Sequence, residues 1–270
     1  MKSLIELLAL ERVGPDLFSG TAPRRDEPRV FGGAAIAQSL LAAYATVETM
    51  LCHSLHCYFI HPGNAAAPIL YEVDRVRDGG SFATRHVTAR QNGRPLLSFI
   101  ASFQHSREGL EHQIAPLHVG AGPDVLTDDD MRGQSVGIQL RNSEVPKPGM
   151  EPAIRAPRHQ MWFRSVQTLG DDIRGHQAVL AYASDFPQLP VMIQPHPLTW
   201  RTPGFQYTSL DHAIWFHRPF NFHNWHVCEL DTPSSSGERG FGRGTIYSDD
   251  GVLVASVSQE AMLRMRPVST

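Results

Sequence analysis

Two stretches of this chain are apolar on nearly every side of a helix: GGAAIAQSLLAAYATV at 32–47 and IRGHQAVLAYASDF at 173–186. Helices of that kind are wrapped by other structure. Both fall short of the roughly 18 residues a bilayer span needs. Strand-like runs follow the first: LHCYFIHP (55–62), ILYEVDRV (69–76), SFATRHVTARQ (81–91) and PLLSFIASFQ (95–104). Ile69, Tyr71 and Val73 alternate with Leu70, Glu72 and Asp74, the period of two that a half-buried strand requires. Around the second helix the same pattern recurs. HQMWFRSV (159–166) precedes it, and SLDHAIWFHRP (209–219), WHVCELD (225–231), FGRGTIYS (241–248) and VLVASVSQEAM (252–262) follow. Asn92-Gly93 and Asp250-Gly251 fall at corresponding places between strands, both strong hairpin signals.

The two halves therefore repeat. Val47 in AAYATV aligns with Asp185 in LAYASD, and setting Gly93 against Gly251 puts Ala101 opposite Gln259. The pattern predicts an α+β duplication, each antiparallel sheet curling around its own apolar helix. The stretch at 106–156 is rich in Gly, Pro and Asp, and a structureless segment this long argues for two domains. The expected division is a first domain at 1–108, a linker at 109–156 and a second domain at 157–270. A short helix is expected near TDDDMRGQ, capped by Thr127.

Composition narrows the function. A length of 270 residues suits two domains. A formal charge of −3 gives no reason to expect a nucleic-acid surface. The three cysteines, Cys52, Cys57 and Cys228, form no CxxC pair, which suits a reducing compartment. The N-terminal MKSLIELLAL reads as an amphipathic helix and not as a signal peptide, and the terminal RPVST is no peroxisomal address. A cytoplasmic protein is expected. Open sheet edges call for pairing, so a homo-oligomer, at least a dimer, is expected too.

One residue breaks the apolar pattern. Asp185 sits inside VLAYASDFPQLPVMI (179–193), where a carboxylate is costly without partners. The unremarkable explanation is a helix C-terminal acid satisfied by local backbone. His56, His61, His212 and His217 lie in or beside strands at spacings that fit no metal motif, and read as packed, hydrogen-bonded imidazoles. Asp211 and His212 are consecutive in a strand and so face opposite ways. Cys57 and Cys228 lack any activating neighbour. The Gly-rich SSSGERGFGRG (234–244) precedes no helix and fails as a phosphate cradle; Arg239 and Arg243 within it read as surface arginines, with contact to ligand phosphates as the alternative.

The segments RVFGGAAIAQSLLAA (29–43), SLHCYFIHPG (54–63), VRDGGSFATRHVTARQNGRPLLSFIASFQ (76–104), LAYASD (180–185), SLDHAIWFHRPF (209–220) and RGFGRGTIYSDDGVLVASVSQE (239–260), in that order, resemble the acyl-CoA thioesterase II (TesB-like) family. The resemblance implies two tandem hot-dog folds and hydrolysis of acyl-CoA to a free acid and CoA, without metal or other cofactor. It also implies an attacking water held by an Asp, a Thr and a Gln of the second half, here Asp185, Ser209 and Gln259. Ser209 departs from the family's Thr; it keeps the hydroxyl but loses the methyl that restricts the rotamer. Thr208 points the other way in a strand. Burial would raise the Asp185 pKa toward the working range of a general base. Backbone N–H groups of FGG (31–33) or of the turn before the second helix are the expected oxyanion donors. Val47 and Ala101 leave the first half without a water-holding pair. A non-catalytic acyl-CoA or acyl-carrier binding protein is the alternative on this fold; a hydratase would need an Asp/His acid–base pair that the sequence does not offer.

Overall fold

The computed structural model describes residues 4–22, 28–117, 122–126, 137–142 and 154–267. The first half contains α1 (Leu4–Leu8), β1 (Glu11–Gly14), β2 (Leu17–Gly20), α2 (Gly32–Tyr44), β3 (Leu51–Phe59), β4 (Ile69–Asp78), β5 (Phe82–Gln91) and β6 (Arg94–Gln104). The second contains β7 (Ile138–Asn142), β8 (Arg158–Ser165), α3 (Ile173–Ala183), α4 (Gln188–Ile193) and β9 (Phe205–Ser209). It continues with β10 (Asp211–Phe216), β11 (His226–Ser236), β12 (Arg239–Ser248) and β13 (Leu253–Met265). All pairings are antiparallel, and the sheet runs β1-β2-β4-β5-β6-β3-β10-β13-β12-β11-β8-β7, with β9 paired to β13.

That order is a mirror about the β3–β10 joint. Outward from it, β3-β6-β5-β4-β2-β1 on one side answers β10-β13-β12-β11-β8-β7 on the other. The duplication expected from sequence is thus two tandem hot-dog units fused edge to edge. The joint pairs Tyr58 with Asp211, Cys57 with His212 and Ser54 with Trp215. One continuous hydrophobic core, from Leu4 to Ala261, passes through both units.

The helices explain why the halves need each other. α2 is buried along almost its whole length, from Gly33 to Tyr44. Its buried Gln38 is satisfied locally, accepting from the Tyr71 hydroxyl at 2.6 Å and donating to Thr21 O at 3.2 Å. α3 starts at the N-cap Asp172, whose side chain accepts from Arg174 N at 3.0 Å. The two helices lie antiparallel: the start of α2 meets the end of α3, and Tyr44 near the end of α2 bonds Gln177 near the start of α3. At the first contact the helices nearly touch. A Cβ on Gly33 would lie 2.2 Å from Tyr182 O. α4 packs on β11 and β12, where a Cβ on Gly240 would lie 3.3 Å from Met192 Cβ.

Turn chemistry behaves as read, with one correction. Asn92 (φ 50°) and Gly93 (φ 75°) form the two-residue turn between Gln91 and Arg94. Gly251 (φ 82°) closes a longer connection in which Ser248 N donates to Val252 O at 2.9 Å. The Gly-rich 234–244 segment is a third hairpin: Gly237 (φ 56°) and Glu238 (φ 61°) join β11 to β12, so both strands extend further than their alternation indicated.

Three further differences have physical causes. The second helix ends at Ala183 and not at 186, because Pro187 disfavours helical backbone at the residue before it. The expected strand 209–219 is two strands, broken at Leu210, whose N–H donates to Glu260 O and whose carbonyl accepts from Phe59 N, both at 2.9 Å. Within 109–156, β7 adds to the sheet beside β8. The chain before it is tied across the second unit, Leu117 N donating to Glu229 Oε2 and Gln113 Nε2 to Gly251 O, each at 2.9 Å. The helix expected at Thr127 lies outside the described residues.

Gly33→Ala is expected to destabilise the fold. Alanine gains about 1 kcal/mol in helix propensity, but overpacking against a backbone carbonyl costs about 1–3 kcal/mol or more. Thermal melting checks it: the variant should melt lower than the wild type, and an unchanged or higher Tm would show that α2 and α3 can part at no cost. Acid should also weaken the fold. Desolvation depresses the buried His159 and His226 to about 4, well below their ordinary value. The unfolded chain therefore binds more protons below about pH 6.5, and stability is full above that pH and lost as pH falls toward 4. In mid-window the two imidazoles together contribute a slope of up to about 2.7 kcal/mol per pH unit. Denaturant unfolding at pH 7, 6 and 5 reads it; a curve flat between 7 and 5 would contradict the assignment.

Candidate active site

Asp185 lies one residue beyond the C-cap of α3, in the turn before α4, and is 7% exposed. One of its partners comes from the other unit. Oδ2 accepts the N–H of Gly33, in the first turn of α2, at 2.9 Å. The N-cap residue of α2 is Phe31, which offers no side-chain hydrogen bond, so the acid of one unit closes the open helix end of the other. Gly32 makes the approach possible: a Cβ there would lie 2.7 Å from Oδ2 and 2.9 Å from Phe59 Cζ. Aromatic rings wall the spot, Phe31 stacking on Phe186 at 4.7 Å and meeting Tyr182 edge-on at 5.2 Å. Gly33 was one expected oxyanion donor. Its N–H is bonded to a carboxylate, so it does not stand open for that task.

Gln259 and Ser209 come together through the break at Leu210. β9 and β10 lie along the same edge of β13, Ser209 pairing with Ala261 and Ala213 with Ser258. The fully buried Gln259 lies between these two pairs, and its Nε2 donates to Ser209 Oγ at 2.8 Å. Ser209 is half-buried while Thr208 is exposed. On its other side the Gln259 amide oxygen lies 2.5 Å from Nδ1 of His212. His212 Nε2 lies 2.9 Å from the hydroxyl of Ser184, the residue before Asp185. Ser209 and Gln259 thus touch directly, and His212 and Ser184 connect them to the turn carrying Asp185.

Electrostatics couples the same groups. Burial lowers the His212 pKa, and the negative charge of Asp185 is the strongest influence opposing it, followed by the Gln259 hydrogen bond and Asp211. Across the joint, burial pushes the Cys57 thiol well up, with Asp185 and Asp211 adding to the shift. Asp211 faces the other way, accepting from Glu260 N at 2.6 Å, and burial raises its pKa.

The remaining candidates are satisfied elsewhere. His61 Nδ1 lies 2.8 Å from Pro95 O, His217 Nε2 lies 2.8 Å from Ser256 Oγ, and His56 packs edge-on against Trp215. Only His212 of the four expected packed imidazoles bonds a candidate site residue. It is packed and hydrogen-bonded as expected, but the identity of its partners was not legible because they lie 28 and 47 positions away. Cys228 is buried with its thiol pKa raised by desolvation, the reverse of an activated nucleophile. Arg239 and Arg243 pair with Glu260 and Asp231 on the surface. Among the described residues no cluster of His, Cys, Asp and Glu could hold a metal ion. At the opposite end of the helix pair, Val47 lines a cleft with Thr46 and Arg85. The Arg85 guanidinium is bonded to Thr46, Arg77 O, Thr84 O and Asp78. Ala101, the counterpart of Gln259, is buried.

Residues 141–262 match the family model described as acyl-CoA thioesterase, and residues 21–104 match the acyl-CoA thioesterase N-terminal domain. The chain is 33% identical to acyl-CoA thioesterase 2 of Haemophilus influenzae, covering 98% of each chain. It is also 33% identical to human acyl-coenzyme A thioesterase 8, over 97% of this chain and 88% of that one. A solved structure of acyl-CoA thioesterase II TesB2 from Mycobacterium marinum superposes with a TM-score of 0.84 at 36% identity, covering 98% of this chain and 99% of that chain.

Proposed function

The chain belongs to the acyl-CoA thioesterase family, and from that premise we propose that it hydrolyses acyl-CoA by direct attack of a water held by Asp185, Ser209 and Gln259. Asp185 is the general base. Its Oδ2 is held by Gly33, which fixes the carboxylate in the turn. Ser209 accepts from Gln259, so its own proton is left to donate to a lone pair of the water. Gln259 acts on the water through Ser209, which leaves the water's second lone pair free for attack. A water so oriented presents one lone pair to the thioester carbonyl and one proton to Asp185.

The step balances without a cofactor. Water oxygen bonds the carbonyl carbon as Asp185 takes its proton. The tetrahedral intermediate collapses, the C–S bond breaks, and the proton passes to the departing CoA thiolate. The products are a free acid and CoA. General-base catalysis contributes about 10²–10⁴-fold, and fixing the water relative to its target adds an entropic gain of the kind seen in intramolecular reactions.

The observation that carries this reading is the Asp185 carboxylate, buried and held by the other unit's helix, with its charge felt by the histidine that bonds Gln259. The first unit offers Val47 and Ala101 at the matching positions, so one competent site per chain follows. Among the described residues the sheet ends at β1 and β7, whose outer edges fit association into a homo-oligomer. Three buried free thiols fit a reducing, cytoplasmic setting; among the described residues no helix is long and apolar enough to cross a membrane.

Asp185→Asn should lower kcat for thiol release from acyl-CoA by about 10²–10⁴-fold while the melting temperature stays near that of the wild type. Turnover at the wild-type rate in a folded Asp185→Asn protein would end the assignment. Val47→Asn should change rate only as far as it changes stability; selective loss of kcat there would move the chemistry to the first unit.

A further inference from the structure

We propose that His212 is a positioning residue that sets the direction of the hydrogen bonds reaching the attacking water, and that Ser184 holds His212 in the tautomer this requires. The inference rests on the water-holding roles of Asp185, Ser209 and Gln259 given above.

The argument starts from which atoms can donate. The Gln259 amide oxygen only accepts, so at 2.5 Å the His212 Nδ1 must carry the proton. His212 is 1% exposed, and burial favours its neutral form, which leaves Nε2 with a lone pair. The group facing that lone pair is the Ser184 hydroxyl at 2.9 Å, which donates to it. A single polarity then runs through the chain of bonds: Ser184 O–H to His212 Nε2, His212 Nδ1–H to Gln259 Oε1, Gln259 Nε2–H to Ser209 Oγ. Ser209 is left with its proton pointing onward.

Remove His212 and the direction is no longer fixed. The Gln259 amide is symmetric in shape, and without a donor at Oε1 it can turn over. Its oxygen then faces Ser209, whose proton is drawn to Gln259 and away from the water. No contact with substrate changes; the water is simply misoriented. Small displacements of a positioned group cost up to about 10²-fold in rate.

Ser184 carries a second cue. Its Oγ also lies 3.1 Å from Ala181 O, so its one proton has two acceptors to choose between. The lone pair of neutral His212 draws it in one direction, and the charges acting on the ring are those of Asp185 and Asp211. Ser184 is also the covalent neighbour of Asp185, so the turn that presents the base also presents the group that orients the histidine.

The test uses the full chain with an acyl-CoA substrate and a thiol reagent that reads CoA release. His212→Ala is expected to lower kcat about 10–100-fold with KM changed less than about threefold. His212→Asn places an amide nitrogen where Nδ1 stood, and should recover most of that loss. Ser184→Ala should fall between the wild type and His212→Ala. A folded His212→Ala at wild-type kcat overturns the proposal. So does a folded His212→Asn no better than His212→Ala, since bulk and not the donor would then be at issue. If His212→Ala does not fold, the Asn variant decides alone: near-wild-type kcat supports the donor role, and loss beyond 10-fold overturns it. Asp185→Asn run alongside separates the two readings. Its inactivity beside an active His212→Ala removes only the relay, whereas its full activity removes the site itself.

Discussion

A carboxylate caps a helix that belongs to the other half of the chain: Asp185 Oδ2 on Gly33 N–H, 2.9 Å apart. Much of the molecule can be understood as what makes that bond possible. The two apolar helices must run antiparallel and nearly in contact. Glycines must stand at 32 and 33, where a Cβ would meet Oδ2 or the Tyr182 carbonyl. Phe31 must forgo capping its own helix and instead pack against Tyr182 and Phe186. The positive end of α2 and a backbone donor offset the cost of placing a carboxylate with this little water around it.

The duplication supplies the frame, and its asymmetry is what the proposed chemistry uses. The sheet is mirrored about the β3–β10 joint, yet the polar groups are not mirrored with it. One end of the helix pair holds Asp185, Ser184, His212, Gln259 and Ser209. The other holds Val47 and an arginine whose donors are all engaged by its surroundings. On the proposed mechanism the first unit contributes backbone to the Asp185 end, through α2 and the β3 edge, and no reacting side chain.

Much of this was legible from sequence, and the misses share a cause. Alternation and helical apolarity located β3 to β6, β8, β10 to β13 and both long helices, because burial imposes those periods directly, whereas the four-residue β1 and β2 are too short to show a period. Asn92-Gly93 marked its turn, because that turn demands positive φ. Pro187 could have shortened the second helix, since the restriction it imposes is local. β7 was hidden: five residues among Pro and Gly carry too little periodicity to stand out. β11 was cut short because Ser234–Ser236 lack the apolar side chains that mark a strand, and a bulge between Asp231 and Ser234 disturbs the period. Asp185 was visible as an anomaly, but its partner 152 positions away was not. His212 is the packed, hydrogen-bonded imidazole it was read as, but nothing in its own segment announces Gln259 or Ser184.

The joint between β3 and β10 has a consequence for the history and the divisibility of this polypeptide. The acid is encoded in one repeat and the amide that caps it in the other, so neither repeat could drift on its own without the other registering the change. A gene split in the connecting stretch would yield two fragments that are each chemically incomplete. Their reunion along a strand edge would be a second-order event, and catalysis would rise and fall with how concentrated the fragments are. Covalent fusion replaces that encounter with a fixed local concentration, which is one physical reason for a duplicated unit of this kind to remain a single chain.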